Sequence, residues 1–305
     1  MNNMFPELNE VFNNIMALTY GKNVVYTHAG VFHTDDAMAT ALLRIAGYEG
    51  DVVRVNKVPE GVTDETNLIY DIGYGRFDHH QDDVDVRPSG VKYAAFGLLV
   101  RVSGLCEVDG FYDFDQTFVE FLDKTDNGQL GKDEVNNIRN YIFSLNPRWD
   151  EDTDEHVAFQ QAVSFCTRVL EREFGLRLSK VRARSFVNEA VDKALEQNKH
   201  YIDLDRFMPW EGQIKYLDGA ALNVLCAVYP SRGEWAIKIR SAFDLDHPRQ
   251  SAAYFDFVDA NKPEGCTFVH SAGFIASAKT HEAAIDIAER YVHAIPSTTL
   301  AEFQI

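Results

Sequence analysis

The sequence predicts an α/β protein of two lobes, and three observations carry that reading. Near the start, short β-rich runs alternate with a helical pattern, the mark of a parallel sheet. From about 90 to 200 the pattern is mainly helical, and from about 210 it returns to strands. The chain has 305 residues, more than one core comfortably serves.

The elements follow in order. Phe5, Leu8, Phe12, Ile15 and Leu18 recur at three- and four-residue steps, which predicts a helix over 1–20. Asn23 to Thr27 predicts the first strand, with a loop from His28 to Thr34 after it. Asp35-Asp36 opens a helix with Ala37, Met38, Ala41, Leu42 and Ile45 on one face, and Gly47 stands at its C-cap. Residues 51–55 predict a second strand, and 67–70 a third that ends at Asp71-Ile72-Gly73. Ligands of parallel sheets sit beyond the carboxyl ends of the strands, where His28 and Asp71 fall. Ala158, Ala162, Phe165 and Val169 mark one later helix. A second, highly charged one is predicted over roughly 178–199, suited to bridge the lobes as a solvated helix. Strands then run over 221–229, 235–243 and 266–270, and a closing helix over about 280–294. The lobe boundary is predicted near 200–210, dividing the chain into 1–200 and 201–305.

Composition excludes several classes. The formal net charge is −18, and such a surface repels nucleic acid, which argues against a protein that coats long DNA or RNA. It leaves room for an enzyme of short phosphorylated substrates, because bound cations reverse the local sign of an acidic site. Cys106, Cys166, Cys226 and Cys266 form no Cys-x-x-Cys pair and read as reduced core cysteines. With no membrane-length apolar run and no recognisable secretory signal, the expected location is cytoplasmic. Neither a phosphate-binding Gly-x-x-x-x-Gly-Lys loop nor a Gly-x-Ser-x-Gly elbow is present. Periodicity leaves a homo-oligomer open.

Five segments carry candidate chemistry. Residues 27–36 pack His28, His33, Asp35 and Asp36 between a strand and a helix. Imidazole with carboxylate suits manganese, zinc or iron, while the plainer reading is helix capping by Asp35 and surface histidines. Asp71 at a strand end reads as a turn residue or as a carboxylate able to bridge two metals. Asp78-His79-His80-Gln81 reads as a polar loop, or as one imidazole for a metal and its neighbour for a substrate. Asp123-Lys124-Thr125-Asp126-Asn127-Gly128 reads as a helix end, and a helix there places Asp123 and Asp126 on one face. Residues 268–277 read as a strand-to-helix turn whose small residues, Gly273 among them, permit close backbone approach to a phosphate.

In combination these segments resemble the DHH phosphoesterase superfamily and, within it, the melanocyte-proliferating-gene (Myg) family. Thr27-His28-x-Gly30-x-Phe32-His33-x-Asp35 resembles that family's opening motif, and Asp78-His79-His80-Gln81 and Asp126-Asn127-Gly128 follow in the expected order. Gly265 to His270 and Gly273-Phe274-Ile275 resemble its C-terminal signature. The resemblance implies an N-terminal DHH-like metal-binding domain, a smaller C-terminal α/β substrate domain and an active site in the cleft between them. It implies metal ligands at His28, His33, Asp35, Asp71 and His79, with Asp126 or Asp123 as the last, and His80 nearer the substrate. Asp71 and His80 are the catalytic candidates, and two divalent cations, manganese first with magnesium, zinc or iron as substitutes, are the expected cofactors. Ala29 and Asp36 stand where the family pattern has Asn and Glu, and Ala276-Ser277 replaces Gly-Gly. Arg249 is the leading phosphate-binding arginine, with Arg240, Lys279, His270 and Gly273 as further substrate-binding candidates. The implied activity is that of a nuclease or exonuclease on RNA or short oligonucleotides. A small-nucleotide phosphodiesterase or pyrophosphatase is the first alternative, favoured by the acidic charge. A catalytically inactive metal-binding regulatory protein is the second.

Overall fold

The computed structural model describes residues 4–131, 134, 137–214, 224–240, 263–271 and 273–294. They form two compact units, 1–178 and 179–305, and the fold is mixed α/β.

The first unit begins with a 3-10 turn, Pro6–Leu8, that leads into α1 (Asn9–Leu18). Strands β1 (Val24–His28) and β2 (Asp51–Val55) pair in parallel, Val24 opposite Asp51 and His28 opposite Val55. Helix α2 (Thr34–Ile45) connects them, and every residue from Thr34 to Leu43 is buried. The sequence assigns this helix one apolar face. In the fold it is enclosed on all sides, and that places Asp35 and Asp36 in the interior. The expected third strand is reduced to isolated parallel bridges, Ile69 with Tyr26 and Tyr70 with Phe77. Asn67 uses its side-chain amide on the Val24 carbonyl, and after Tyr70 the chain turns at once, Asp71 taking a left-handed φ of 57°. Both ends of the potential ladder are thereby cut off.

Helices α3 (Ala95–Ser103), α4 (Glu120–Asp126, entered through a π-helical turn at Asp115–Val119) and α5 (Asn137–Phe143) follow. The long helix α6 runs from Glu155 to Glu196 without a break. Two helices were expected here, the second of them solvated. Gly175 does not end the helix, since a mid-helix glycine costs only about 1 kcal/mol. The apolar stripe also continues: Phe159, Val163, Cys166, Leu170, Phe174 and Leu178 belong to the core of the first unit. Ala183, Val187, Val191 and Ala194 belong to a core of the second. Phe174 anchors an aromatic cluster, with edge-on contacts to Phe5, Phe111 and Phe114 at centroid distances of 5.9, 5.4 and 5.8 Å.

The second unit is a five-stranded sheet in the order β3-β4-β5-β7-β6. Its strands are β3 (Tyr201–Asp203), β4 (Cys226–Ser231), β5 (Glu234–Ile239), β6 (Cys266–Val269) and β7 (Ile275–Ala278). A short helix, α7 (Glu211–Ile214), and α8 (His281–Ala294) complete the described elements. β3 and β4 are parallel and the other pairs antiparallel. Along β4 successive residues face opposite cores: Cys226 and Val228 pack with Ile287 and Tyr291 of α8, and Ala227 and Tyr229 with Val187 and Trp210. Both faces of the sheet are covered.

One expected turn takes another form. Residues 266–278 make a β-hairpin, closed by hydrogen bonds from His270 N to Ile275 O (2.9 Å) and from Gly273 N to His270 O (2.8 Å). Strand rather than helix follows Gly273, because Ile275 to Ala278 pair with β5 as well as with β6. The phosphate cradle expected at a helix start therefore lacks its helix.

Removing the Phe174 ring leaves a void ringed by aromatic edges. Phe174→Ala is expected to destabilise the protein by about 3–5 kcal/mol, read by urea denaturation with an unchanged m-value.

Candidate metal centre

The centre collects at the C-terminal end of β1, the N-terminus of α2 and the two turns that carry Asp71 and Asp78-His79-His80. β1 ends on His28, whose Nδ1 lies 3.0 Å from the Ala29 carbonyl. With Nδ1–H donated to that carbonyl, Nε2 is the atom presented to the centre. His33 is the N-cap of α2 and forms a capping box with Asp36, the His33 amide donating to Asp36 Oδ1 at 2.9 Å. The positive end of the α2 dipole faces the Asp35 and Asp36 carboxylates. Asp35 is held by the amides of Asp36 (2.9 Å) and Ala95 (3.1 Å).

Asp71 sits in the middle. Its Oδ2 lies 3.1 Å from His28 Nε2, which is itself 3.3 Å from Asp36 Oδ2. Its Oδ1 lies 3.1 Å from His79 Nε2, which is also 3.1 Å from Asp126 Oδ2 and 3.6 Å from Asp35 Oδ2. His33 Nδ1 approaches Asp126 Oδ1 at 3.7 Å. Three sets result, each with donor atoms close enough to share an ion: His28, Asp36 and Asp71; Asp71, His79 and His80, which share Asp71 with the first; and His33, Asp35 and Asp126. Asp71 offers one oxygen to each side.

The donor set fits a divalent cation. His28 Nε2, Asp36 Oδ2 and Asp71 Oδ2 are buried and converge on one another, yet none makes a directional hydrogen bond. Mixed imidazole and carboxylate donors suit manganese, zinc or iron. Without a cation, protons must balance the carboxylates. Burial works against the charged imidazoles, but Asp36 and Asp71 outweigh it and hold His28 up at about 11. Asp126 and Asp71 likewise hold His79 up at about 12 against burial. Burial, then Asp126 and Asp71, push Asp35 well above the carboxylate range, and burial raises Asp36 against the pull of His28. Burial also opposes ionisation of Asp71, but His28 and His79 prevail and keep its carboxyl below the usual range.

His80 is half-exposed, with Nδ1 2.6 Å from Asp78 Oδ1; that hydrogen bond raises its pKa and leaves Nε2 for a ligand. Asp78 is in turn fixed by the amides of Tyr74 (2.6 Å) and His79 (2.8 Å). A cavity of about 590 Å³ opens above, with His28, His33, Lys57, Asp71, Tyr74 and His80 among its lining residues.

Of the two carboxylates left open by the sequence, Asp126 joins this group and Asp123 does not. Asp123 is buried on Arg87 Nη2 at 2.7 Å, and Arg87 also grips Asp115 at 2.6 Å. Gly97 of α3 admits that pair, since a Cβ there would collide with the Asp123 carboxylate. Asp36 and Asn127 are the residues the sequence reading left out of the centre. The His33–Asp36 capping spacing pointed to the first. Asn127 stands in the Asp126-Asn127-Gly128 motif, which assigns it no role of its own; its Oδ1 lies 3.2 Å from His79 Nδ1 and orients that ring. In the second unit, Arg240 is buried, His270 packs on Phe274 with the rings tilted at 49° and centroids 4.3 Å apart, and Lys279 is exposed beyond the hairpin. Arg249 lies outside the described residues.

Comparison with known proteins gives four matches. A family described as "Uncharacterised protein family (UPF0160)", MYG1_exonuc, matches residues 24–105 and 106–292. "MYG1 exonuclease" of Bos taurus is 27% identical over 333 residues, covering 90% of this chain and 86% of its own. A MYG1 protein of Saccharomyces cerevisiae is 25% identical, covering 87% and 94%. A solved structure of RecJ with Mg2+ from Thermus thermophilus shares 14% identity over 96% of this chain and 53% of its own, at a TM-score of 0.21.

Ligation needs neutral imidazoles, so a metal that enters this centre must displace protons from His28 and His79. Calorimetric titration of manganese at about pH 7, in buffers of different ionisation enthalpy, is expected to show net proton release. Affinity is expected to rise with pH as protons compete less. Binding without proton release would contradict the assignment.

Proposed function

The chain belongs to the MYG1 family, UPF0160, and from that premise we propose that it is a divalent-metal-dependent phosphoesterase acting as an exonuclease on RNA or short oligonucleotides. The observation that carries the proposal is the placement of Asp71, buried between two sets of imidazole and carboxylate donors with one oxygen toward each. The relatives named as exonucleases support the reaction class.

In this proposal His28, Asp36 and Asp71 would hold one cation, and Asp71, His79, Asp35 and Asp126, together with His33, would hold the other. Divalent cations there supply Lewis acidity toward water and the phosphoryl group at neutral pH. The chain's own residues do the rest. Asp71 ties the two sets into one rigid unit. His80, backed by Asp78, faces the phosphoryl oxygens with its Nε2 edge, and Lys57 adds charge from the cavity wall. Arg240, His270, Gly273, Lys279 and Arg249 stay as substrate-binding candidates under this proposal. Manganese is the proposed metal, and free cysteines at all four positions support the cytoplasm as the location.

End-labelled RNA, DNA and dinucleotides with added manganese test the proposal. Cleavage is expected, with Asp71→Asn slower by a hundredfold or more, about the loss that follows removal of one group stabilising a transition state. Product lengths separate an exonuclease from a small-nucleotide enzyme. A fully active Asp71→Asn would overturn the mechanism, and metal binding without turnover of any substrate would leave a binding protein.

A further inference from the structure

A chain with net charge −18 repels a polyanionic strand over most of its surface. One segment reverses the sign. Between Glu173 and Glu189 stand Arg177, Lys180, Arg182 and Arg184, and no acidic residue. Arg177 is occupied by Glu173 and Asp113. Farther along the helix, Arg182 and Phe186 are four residues apart and share a face of α6. The loop after β3 brings Arg206 and Phe207 to the same place. A cavity of about 240 Å³ is lined by Ser179, Arg182, Phe186, Arg206, Phe207 and Met208.

The two rings are exposed, Phe186 by 57% and Phe207 by 61%, while Met208 beneath them is buried. Phe207 rests on Tyr229, ring centroids 5.2 Å apart, so it is supported from the core side and open on the other. Arg206 pairs with Asp205 at 2.9 Å, but both are largely exposed, and a pair in that setting is weak enough to yield to a phosphate. Two open aromatic faces flanked by guanidinium groups match a particular chemistry. Base stacking on an aromatic ring tolerates any sequence, and arginine binds phosphate oxygens in pairs. Duplexes keep their base faces stacked inside, so only unpaired bases reach such rings.

We propose that this cavity binds single-stranded nucleic acid, with bases stacked on Phe186 and Phe207 and phosphates held by Arg182 and Arg206. The inference deepens the nuclease reading and rests on it for its purpose, which is to retain a strand that the rest of the surface repels.

Fluorescence anisotropy of a labelled single strand of about 16 nucleotides, the upper end of a typical single-strand site, reads it directly. EDTA keeps cleavage from intervening. Phe186→Ala with Phe207→Ala is expected to weaken binding about tenfold or more. Arg182→Ala with Arg206→Ala is expected to weaken it and to flatten the logarithmic salt dependence by about 1.4, at about 0.7 per phosphate contact. The same sequence as a duplex is expected to bind less tightly. All four side chains are exposed, and unchanged melting temperatures would confirm intact folds. A wild-type protein that does not bind the strand, or two double variants that bind as wild type does, would overturn the proposal and leave the patch to a protein partner. Manganese-dependent cleavage measured in parallel keeps the two readings apart. Binding through the patch without cleavage ends the nuclease reading alone. Cleavage with patch-independent binding ends this inference alone.

Discussion

Asp71 is buried with an imidazole against each of its oxygens, and the electrostatics of the first unit depend on that arrangement. Asp35, Asp36 and Asp71 are all withdrawn from water, and Asp35 shares a donor cluster with Asp126. An isolated buried carboxylate costs several kcal/mol, so such a group persists only where positive charge meets it. His28 and His79 supply that charge as imidazolium, and a divalent cation supplies it in their place. The same atoms serve both states, which is why the centre is stable enough to be built and still open to a metal.

Local structure is arranged around this requirement. The N-terminus of α2 points at Asp35 and Asp36, and the capping box fixes His33 to the same turn. Asp71 accepts a left-handed backbone to place its carboxylate, a conformation that aspartate tolerates better than most residues. Ala29 O and Asn127 Oδ1 occupy Nδ1 of His28 and His79 and leave both Nε2 atoms facing inward. The Arg87–Asp123 pair, buried one helical turn from Asp126, ties α4 to the loop that carries Arg87, beside Gly97 of α3, without entering the centre.

The placement of these candidate ligands was legible in the sequence because they cluster at the ends of elements with clear periodicity. His28 and His33 follow a β-rich run, Asp35 opens a helix, and Asp71 closes a run ending in Tyr70. The family match over residues 24–292 agrees with the resemblance those motifs carried. Asp123 and Asp126 could not be separated, because helical spacing puts both on one face and only the position of Arg87 sends them apart. Asp36 stood among the carboxylates of residues 27–36 but outside the ligand set that the resemblance implies, where it departs from the Glu of the family pattern. The hairpin over 266–278 read as a strand-to-helix turn because small residues signal a turn but not the element after it; pairing of Ile275–Ala278 with β5 decides that. The continuity of α6 was equally invisible, since a glycine and a run of charge resemble a boundary until both flanking stripes find cores.

Crystals soaked in manganese, with anomalous scattering recorded from the metal, test the central claim most directly. The account predicts two peaks that flank Asp71, one among His28, Asp36 and Asp71 and the other among His79, Asp35, Asp126 and Asp71. A single peak that Asp71 does not touch, or no peak within this group at saturating manganese, would contradict it.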